Sequence, residues 1–203
     1  MAAHAEEMIA GAGVRPVFDG SESAPFLSES NWITEPAGRS KNKFADLRRG
    51  FTGGQIATIY QQLTRTDYVN PAAAVSLSTF GGQVNAVPPD ATATAARDTV
   101  VRAYFTPGHW TSPADDALHI GWIREFYRAV FADTGGVPVP GPVTAGSYIN
   151  YPDVDLADPG WNTSGVSWET LYYKGNYARL QQIKRRYDPR DVFRHALSIR
   201  LPG

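Results

Sequence analysis

Apolar residues along this chain change period several times, and each change marks an element. From Thr52 onward Ile56, Ile59, Tyr60 and Leu63 recur at helical spacing, which predicts a helix capped by Thr52 and ended before the turn signal at Asn70-Pro71. Ala73 to Phe80 then fits a strand, with Ala73, Val75, Leu77 and Thr79 on one side and Ala74, Ser76, Ser78 and Phe80 on the other. Gly81-Gly82 allows a bulge or a close backbone approach, and Gln83 to Val87 is expected to resume extended structure. Thr99 to Phe105 is a further strand.

Ser112-Pro113-Ala114-Asp115 is a helix start, with a capping hydroxyl, proline at the first helical position and an acid in the first turn. Leu118, Trp122, Phe126 and Val130 make its apolar stripe, and Gly135-Gly136 ends it. Val137 to Pro142 is excluded from helix by its prolines. A last helix is expected from Trp168, burying Trp168, Leu171, Tyr172, Asn176, Leu180, Ile183 and Tyr187, and stopped by Asp188-Pro189. The tail Val192 to Leu201 offers Phe193, Leu197 and Ile199 to the body.

The first 14 residues suggest a short helix, Ala2 to Ala10, without a cap. Asp19 to Arg39 reads as a long loop whose aromatics pack on a neighbour, with a mobile lid as the functional alternative. These elements give an α+β chain: an antiparallel sheet covered by helices on one face, followed by a C-terminal helix and an extended tail.

Composition narrows the function. The chain has 203 residues, 42% apolar, with 19 basic and 20 acidic side chains and a formal charge of -1. That balance carries no footprint for nucleic acid or for an anionic membrane surface. No apolar run approaches the roughly 18 residues needed to span a bilayer, and no basic signal start is seen, so a cytoplasmic location is expected. The absence of cysteine removes disulfides, thiolate metal sites, a thiol nucleophile and a thiol link to a cofactor. His4, His109, His119 and His195 lack metal-ligand spacing, and no glycine-rich phosphate loop precedes a helix. Asp153, Asp155 and Asp158 have the wrong spacing for a calcium loop and read as a solvated turn.

The most informative stretch is Tyr148-Ile149-Asn150-Tyr151-Pro152-Asp153-Val154-Asp155-Leu156. As a strand it would put Tyr148 and Asn150 on one face and Ile149 and Tyr151 on the other, with Tyr151 at the strand end before Pro152. On the residues alone, the tyrosines read as packing groups whose hydroxyls find backbone partners. Asn176, inside an apolar stripe, needs a partner, because an unpaired buried amide costs a few kcal/mol.

Together with Tyr173-Lys174-Gly175-Asn176-Tyr177-Ala178-Arg179-Leu180-Gln181-Gln182-Ile183-Lys184 and Asp188-Pro189-Arg190-Asp191-Val192-Phe193, this stretch resembles the C-terminal region of the berberine bridge enzyme-like FAD-linked oxidases. The resemblance covers most of the chain but only the later part of that family. It implies a substrate-domain portion over residues 1–145, partial at its start, and a berberine-bridge-type segment over 146–203. The C-terminal helix and tail would then pack on an FAD-binding domain not contained here.

It further implies oxidation of a carbohydrate, glycoside or other secondary alcohol, with Tyr151 as catalytic base and Tyr148, Asn150 and Asn176 near FAD. Ser78, Phe80, Gln83 and Asn85 would face a small-molecule substrate; Phe80 stands where family members often have tyrosine. Counting from Arg97 puts Ala103 where plant members carry an acid, which argues against their alkaloid chemistry. A buried tyrosine ionises with difficulty, so the base role needs donors or a cation beside the phenolate. The expected chain is inactive by itself. The alternatives are a non-catalytic α+β binding module, or a subunit that docks on a separately encoded FAD domain.

Overall fold

The computed structural model describes residues 38–203, together with Ala10 and Pro25. The helix expected at Ala2 to Ala10 and most of the loop from Asp19 lie outside the described residues. Residues 38–203 form one compact unit built on a four-stranded antiparallel sheet of order β2-β3-β1-β4. The strands are β1 (Lys43–Leu47), β2 (Ala74–Thr79), β3 (Val101–Thr106) and β4 (Thr144–Gly146). The helices are α1 (Gly53–Thr64), α2 (Asp116–Val130), α3 (Trp168–Tyr173) and α4 (Tyr177–Tyr187). The α+β class with an antiparallel sheet is as the hydrophobic pattern predicts.

Side-chain alternation assigns the two faces of the sheet. Ala45, Leu47, Ala103 and Phe105 point into the core, where all four are fully buried against Ile123, Phe126, Tyr127 and Val130 of α2. The Tyr127 hydroxyl donates to the Phe44 carbonyl at 2.6 Å, joining α2 to the central strand. The opposite face carries Phe44 and Asp46 of β1, Arg102 and Tyr104 of β3, and Ser76 and Ser78 of β2, paired Phe44↔Tyr104, Asp46↔Arg102, Ser76↔Tyr104 and Ser78↔Arg102. The boundary expected after residue 145 falls inside β4.

Several local expectations are corrected. Gln83 is not in a strand: Gly82–Val84 is a 3-10 turn, entered through Gly81 at φ 126° and fastened by Asn85 Nδ2 donating to the Thr99 carbonyl at 2.9 Å. Ile56, Tyr60 and Leu63 are exposed on α1, and Leu118 is exposed on α2; helical spacing identified the helices but not how much of each face is covered. The buried face of α2 is Trp122, Ile123, Phe126, Tyr127 and Val130.

The C-terminal helix is two helices. Leu171 O, which an unbroken helix would give to the amide of Gly175, accepts from Ser147 N at 2.9 Å instead. Lys174 turns to φ 52° and a 3-10 turn, Lys174–Asn176, separates α3 from α4. Ile183, Tyr187 and Phe193 are exposed rather than buried, while Leu197 is buried and Ile199 packs against the core.

Candidate active site

The motif after β4 is a turn, not a strand. Gly146, at φ 100°, peels the chain off β1; Tyr151 N then donates to Tyr148 O at 3.0 Å. Tyr148 and Tyr151 therefore do not alternate across a sheet. Both rings fold over the sheet face opposite the helices, with centroids 6.2 Å apart. Tyr151 stacks parallel on Phe44 at 5.2 Å and tilts against Tyr104 at 5.2 Å. It keeps 42% of its surface exposed, so its ring has a covered side and an open side. Asn150 donates to the Tyr148 hydroxyl at 2.7 Å.

Arg102 joins these aromatics to β2. Its guanidinium lies 3.7 Å from the Phe80 ring centroid and 4.1 Å from that of Tyr148, with Phe44 at 5.8 Å. Nε donates to Asp46 Oδ1 at 3.2 Å. Asp46 is fully buried, and burial pushes its carboxyl above the usual range against the pull of Arg102 and Lys174. Desolvation likewise lowers the Lys174 amine. Asp46 Oδ2 and Lys174 Nζ both lack a hydrogen bond among the described residues.

The structure thus brings Tyr148, Asn150, Tyr151, Phe80 and Ser78 to one face, Ser78 through its pairing with Arg102. The other three expected residues lie elsewhere. Asn176 Nδ2 donates to the carbonyls of Pro89 and Thr92 at 2.7 and 3.0 Å, pinning the loop before β3. Asn85 holds the Thr99 carbonyl, and Gln83 is exposed on the 3-10 turn. Ala103 faces the core, so Arg102 and Tyr104 occupy the open face at that level. Phe44 and Asp46 were missed in the sequence because the two charged positions of Lys43–Leu47 hid a central strand, and Arg102, inside the expected Thr99 to Phe105 strand, was not singled out.

The acids behind Tyr151 do not form a solvated turn. Asp153 and Asp155 are buried, and Lys43 Nζ lies 2.6 Å from Asp153 Oδ2 and 2.8 Å from Asp155 Oδ2. Lys41 reaches Asp153 at 2.5 Å, and Arg124 of α2 grips Asp155 through two nitrogens at 2.8 and 3.0 Å. Burial pushes the Asp155 carboxyl upward, but the Arg124 hydrogen bonds and the Lys43 charge outweigh it and hold it well below the usual carboxylate range. The Tyr172 hydroxyl accepts from Asp153 N at 3.0 Å. The Tyr151 turn is thereby tied to β1, α2 and α3.

The berberine and berberine-like family profile matches residues 147–200, the segment that contains this turn, α3, α4 and the tail. Residues 147–200 are a berberine and berberine-like domain, and the chain is homologous to the later part of berberine bridge enzyme-like oxidases. It is 52% identical over 196 residues to the aclacinomycin-N/aclacinomycin-A oxidase of Streptomyces galilaeus, covering 95% of this chain and 35% of that protein. It is 32% identical over 197 residues to the hexose oxidase of Chondrus crispus, covering 90% of this chain and 36% of the relative. Among solved structures, that of aclacinomycin oxidoreductase superposes with a TM-score of 0.85 at 46% identity over 98% of this chain and 41% of that one. A glycopeptide hexose oxidase complexed with teicoplanin gives 0.76 at 49% identity over 81% and 32%.

The chain spans about a third of the length of the curated relatives it matches. FAD is the cofactor of this family. The open face suits one side of a flat cofactor or substrate: an aromatic surface formed by Tyr151, Phe44 and Tyr104, bordered by the Asn150 and Tyr148 polar groups. Among the described residues no helix is long and apolar enough to cross a membrane, and no cluster of acids and histidines is placed to hold a metal ion.

Proposed function

We propose that this chain forms the substrate-facing wall of an FAD-dependent oxidase of a sugar, a glycoside or another secondary alcohol, with Tyr151 as the proton acceptor. The observation that carries the reading is the half-exposed Tyr151 ring, stacked on Phe44 and held over the sheet by a buried ion-pair network. Relatives that oxidise hexoses and aclacinomycins favour a hydroxyl-bearing ring as the substrate.

Bound FAD supplies the acceptor for the hydride that leaves the carbinol carbon. Tyr151, as phenolate, takes the hydroxyl proton while the carbon–oxygen double bond forms. Phe44 and Tyr104 fix the ring, so little reorganisation is needed when the alcohol arrives. Arg102, held against the Phe80 and Tyr148 rings, places a permanent positive charge on the same face. Tyr148 and Asn150 border the cofactor side as a hydrogen-bonded pair. Asn176 contributes as the clamp on the loop of Pro89 and Thr92. Ser78 and Phe80 border the substrate side, and Gln83 and Asn85 mark its outer end.

The FAD-binding portion comes from outside these 203 residues, and the chain alone is proposed to be inactive. The test supplies a family FAD domain, fused or in trans, and follows bleaching of flavin absorbance by a hexose or glycoside. Tyr151→Phe is expected to slow bleaching by about a hundredfold or more while substrate binding is kept. Unchanged bleaching removes Tyr151 from the base role. Flavin absorbance in the purified chain without a partner contradicts the external cofactor portion.

A further inference from the structure

Arg102 is engaged on three sides and unsatisfied on the fourth. Phe80 and Tyr148 lie close to its guanidinium, and Asp46 takes its Nε proton. Among the described residues its two Nη nitrogens make no hydrogen bond, and the side chain keeps 17% exposure on the face that carries Tyr151. A guanidinium held in this way leaves its outer fork for a planar acceptor, which carboxylate geometry matches with two parallel hydrogen bonds.

The charge around it points the same way. Asp46 is the acid in contact with Arg102, and it is shared with a second cation. Lys174 Nζ lies 3.6 Å from where a Cβ on Gly146 would stand, and Gly146 is the register partner of Asp46. Asp98, the other acid acting on this pair, is itself bonded to Arg48 at 2.6 Å, so three cations stand against two carboxylates and this end of the face is positive. The Asp46 anchor is buried and Lys174 is half-buried, so solvent screens this excess less than it would at the surface.

We propose that Arg102 is a carboxylate-binding residue, and that the substrate is a glycoside carrying a carboxylate. This rests on reading the open face as the substrate wall. It goes further in naming the group that selects among sugars.

The test uses the 203-residue chain and two probes that differ at C6, p-nitrophenyl β-D-glucuronide and p-nitrophenyl β-D-glucoside, in calorimetric titrations at low salt. The glucuronide is expected to bind about tenfold tighter, with the gap lost in Arg102→Met and only partly kept in Arg102→Lys. Sodium formate should compete with the glucuronide and leave the glucoside unaffected, a measurement that needs no variant. Equal binding of both sugars, no binding of either, or a gap that survives Arg102→Met overturns the assignment. Failure of the oxidase reading is distinguishable: a glucuronide preference without flavin bleaching in the fused protein removes that reading and leaves the carboxylate site. Bleaching by both sugars without preference does the reverse.

Discussion

The amide of Ser147 donates to the carbonyl of Leu171 at 2.9 Å, and this bond shapes both halves of the candidate site. It draws the chain away from β1 just before Tyr148, and it takes the acceptor that would have continued α3 through residue 175. The approach is possible because residue 146 is glycine. A Cβ there would collide with the Leu171 carbonyl oxygen, and φ is 100°.

Gly146→Ala is therefore expected to destabilise the protein by more than about 3 kcal/mol in urea unfolding, since steric overlap adds to left-handed strain. Gly165→Ala, at φ 75° but facing open space, should lose only about 1 kcal/mol. Similar losses at both positions would show that the Leu171 contact is not the cause.

Lys43 sits between Asp153 and Asp155 with all three side chains buried. Lys43→Met removes one cation and leaves two buried carboxylates with Lys41 and Arg124, which should lower stability by about 3 kcal/mol. Lys41→Met, at a more exposed position, should lower it by about 1 kcal/mol. Urea midpoints of the two variants settle the order.

The same network sets an acid limit. The Asp155 carboxyl ionises more readily when folded than when unfolded, so its contribution is present above the ordinary carboxylate pKa of about 4 and is lost as pH falls through the lower folded value. Stability measured by denaturant titration should hold from neutrality down to about pH 4 and decline below it. In Lys43→Met the folded value moves back toward the ordinary one, and the Asp155 share of the decline should shrink.

Asn176 is expected to act as a clamp in the chain as it stands. Asn176→Ala frees the carbonyls of Pro89 and Thr92, with a loss of about 2 kcal/mol and faster hydrogen exchange in residues 90–94. Asn176→Asp should be at least as damaging, because a carboxylate cannot donate to two carbonyls. Exchange unchanged in that loop would leave the asparagine without its structural role.

The sequence by itself determined the elements whose cause is local. Thr52 and Gln55 exchange side-chain and backbone hydrogen bonds as a capping box, and Ser112 caps the turn that leads into α2. The same is true of β2 and β3, whose alternation is visible residue by residue, and of the family motif around Tyr151. Its limits show where the cause lies elsewhere in the chain. Lys43–Leu47 contains two charges in five residues, and only the carboxylates near residue 154 and the guanidinium of Arg102 make those charges tolerable in a central strand. The turn at Tyr148 and the break at Lys174 both depend on one hydrogen bond between segments 24 residues apart in sequence, Ser147 to Leu171. The face on which Tyr151, Phe44, Tyr104 and Arg102 meet exists because four strands with no common sequence signal are set in register. Local propensity and periodicity fix what each segment prefers; long-range pairing of buried polar groups decided which residues share the site.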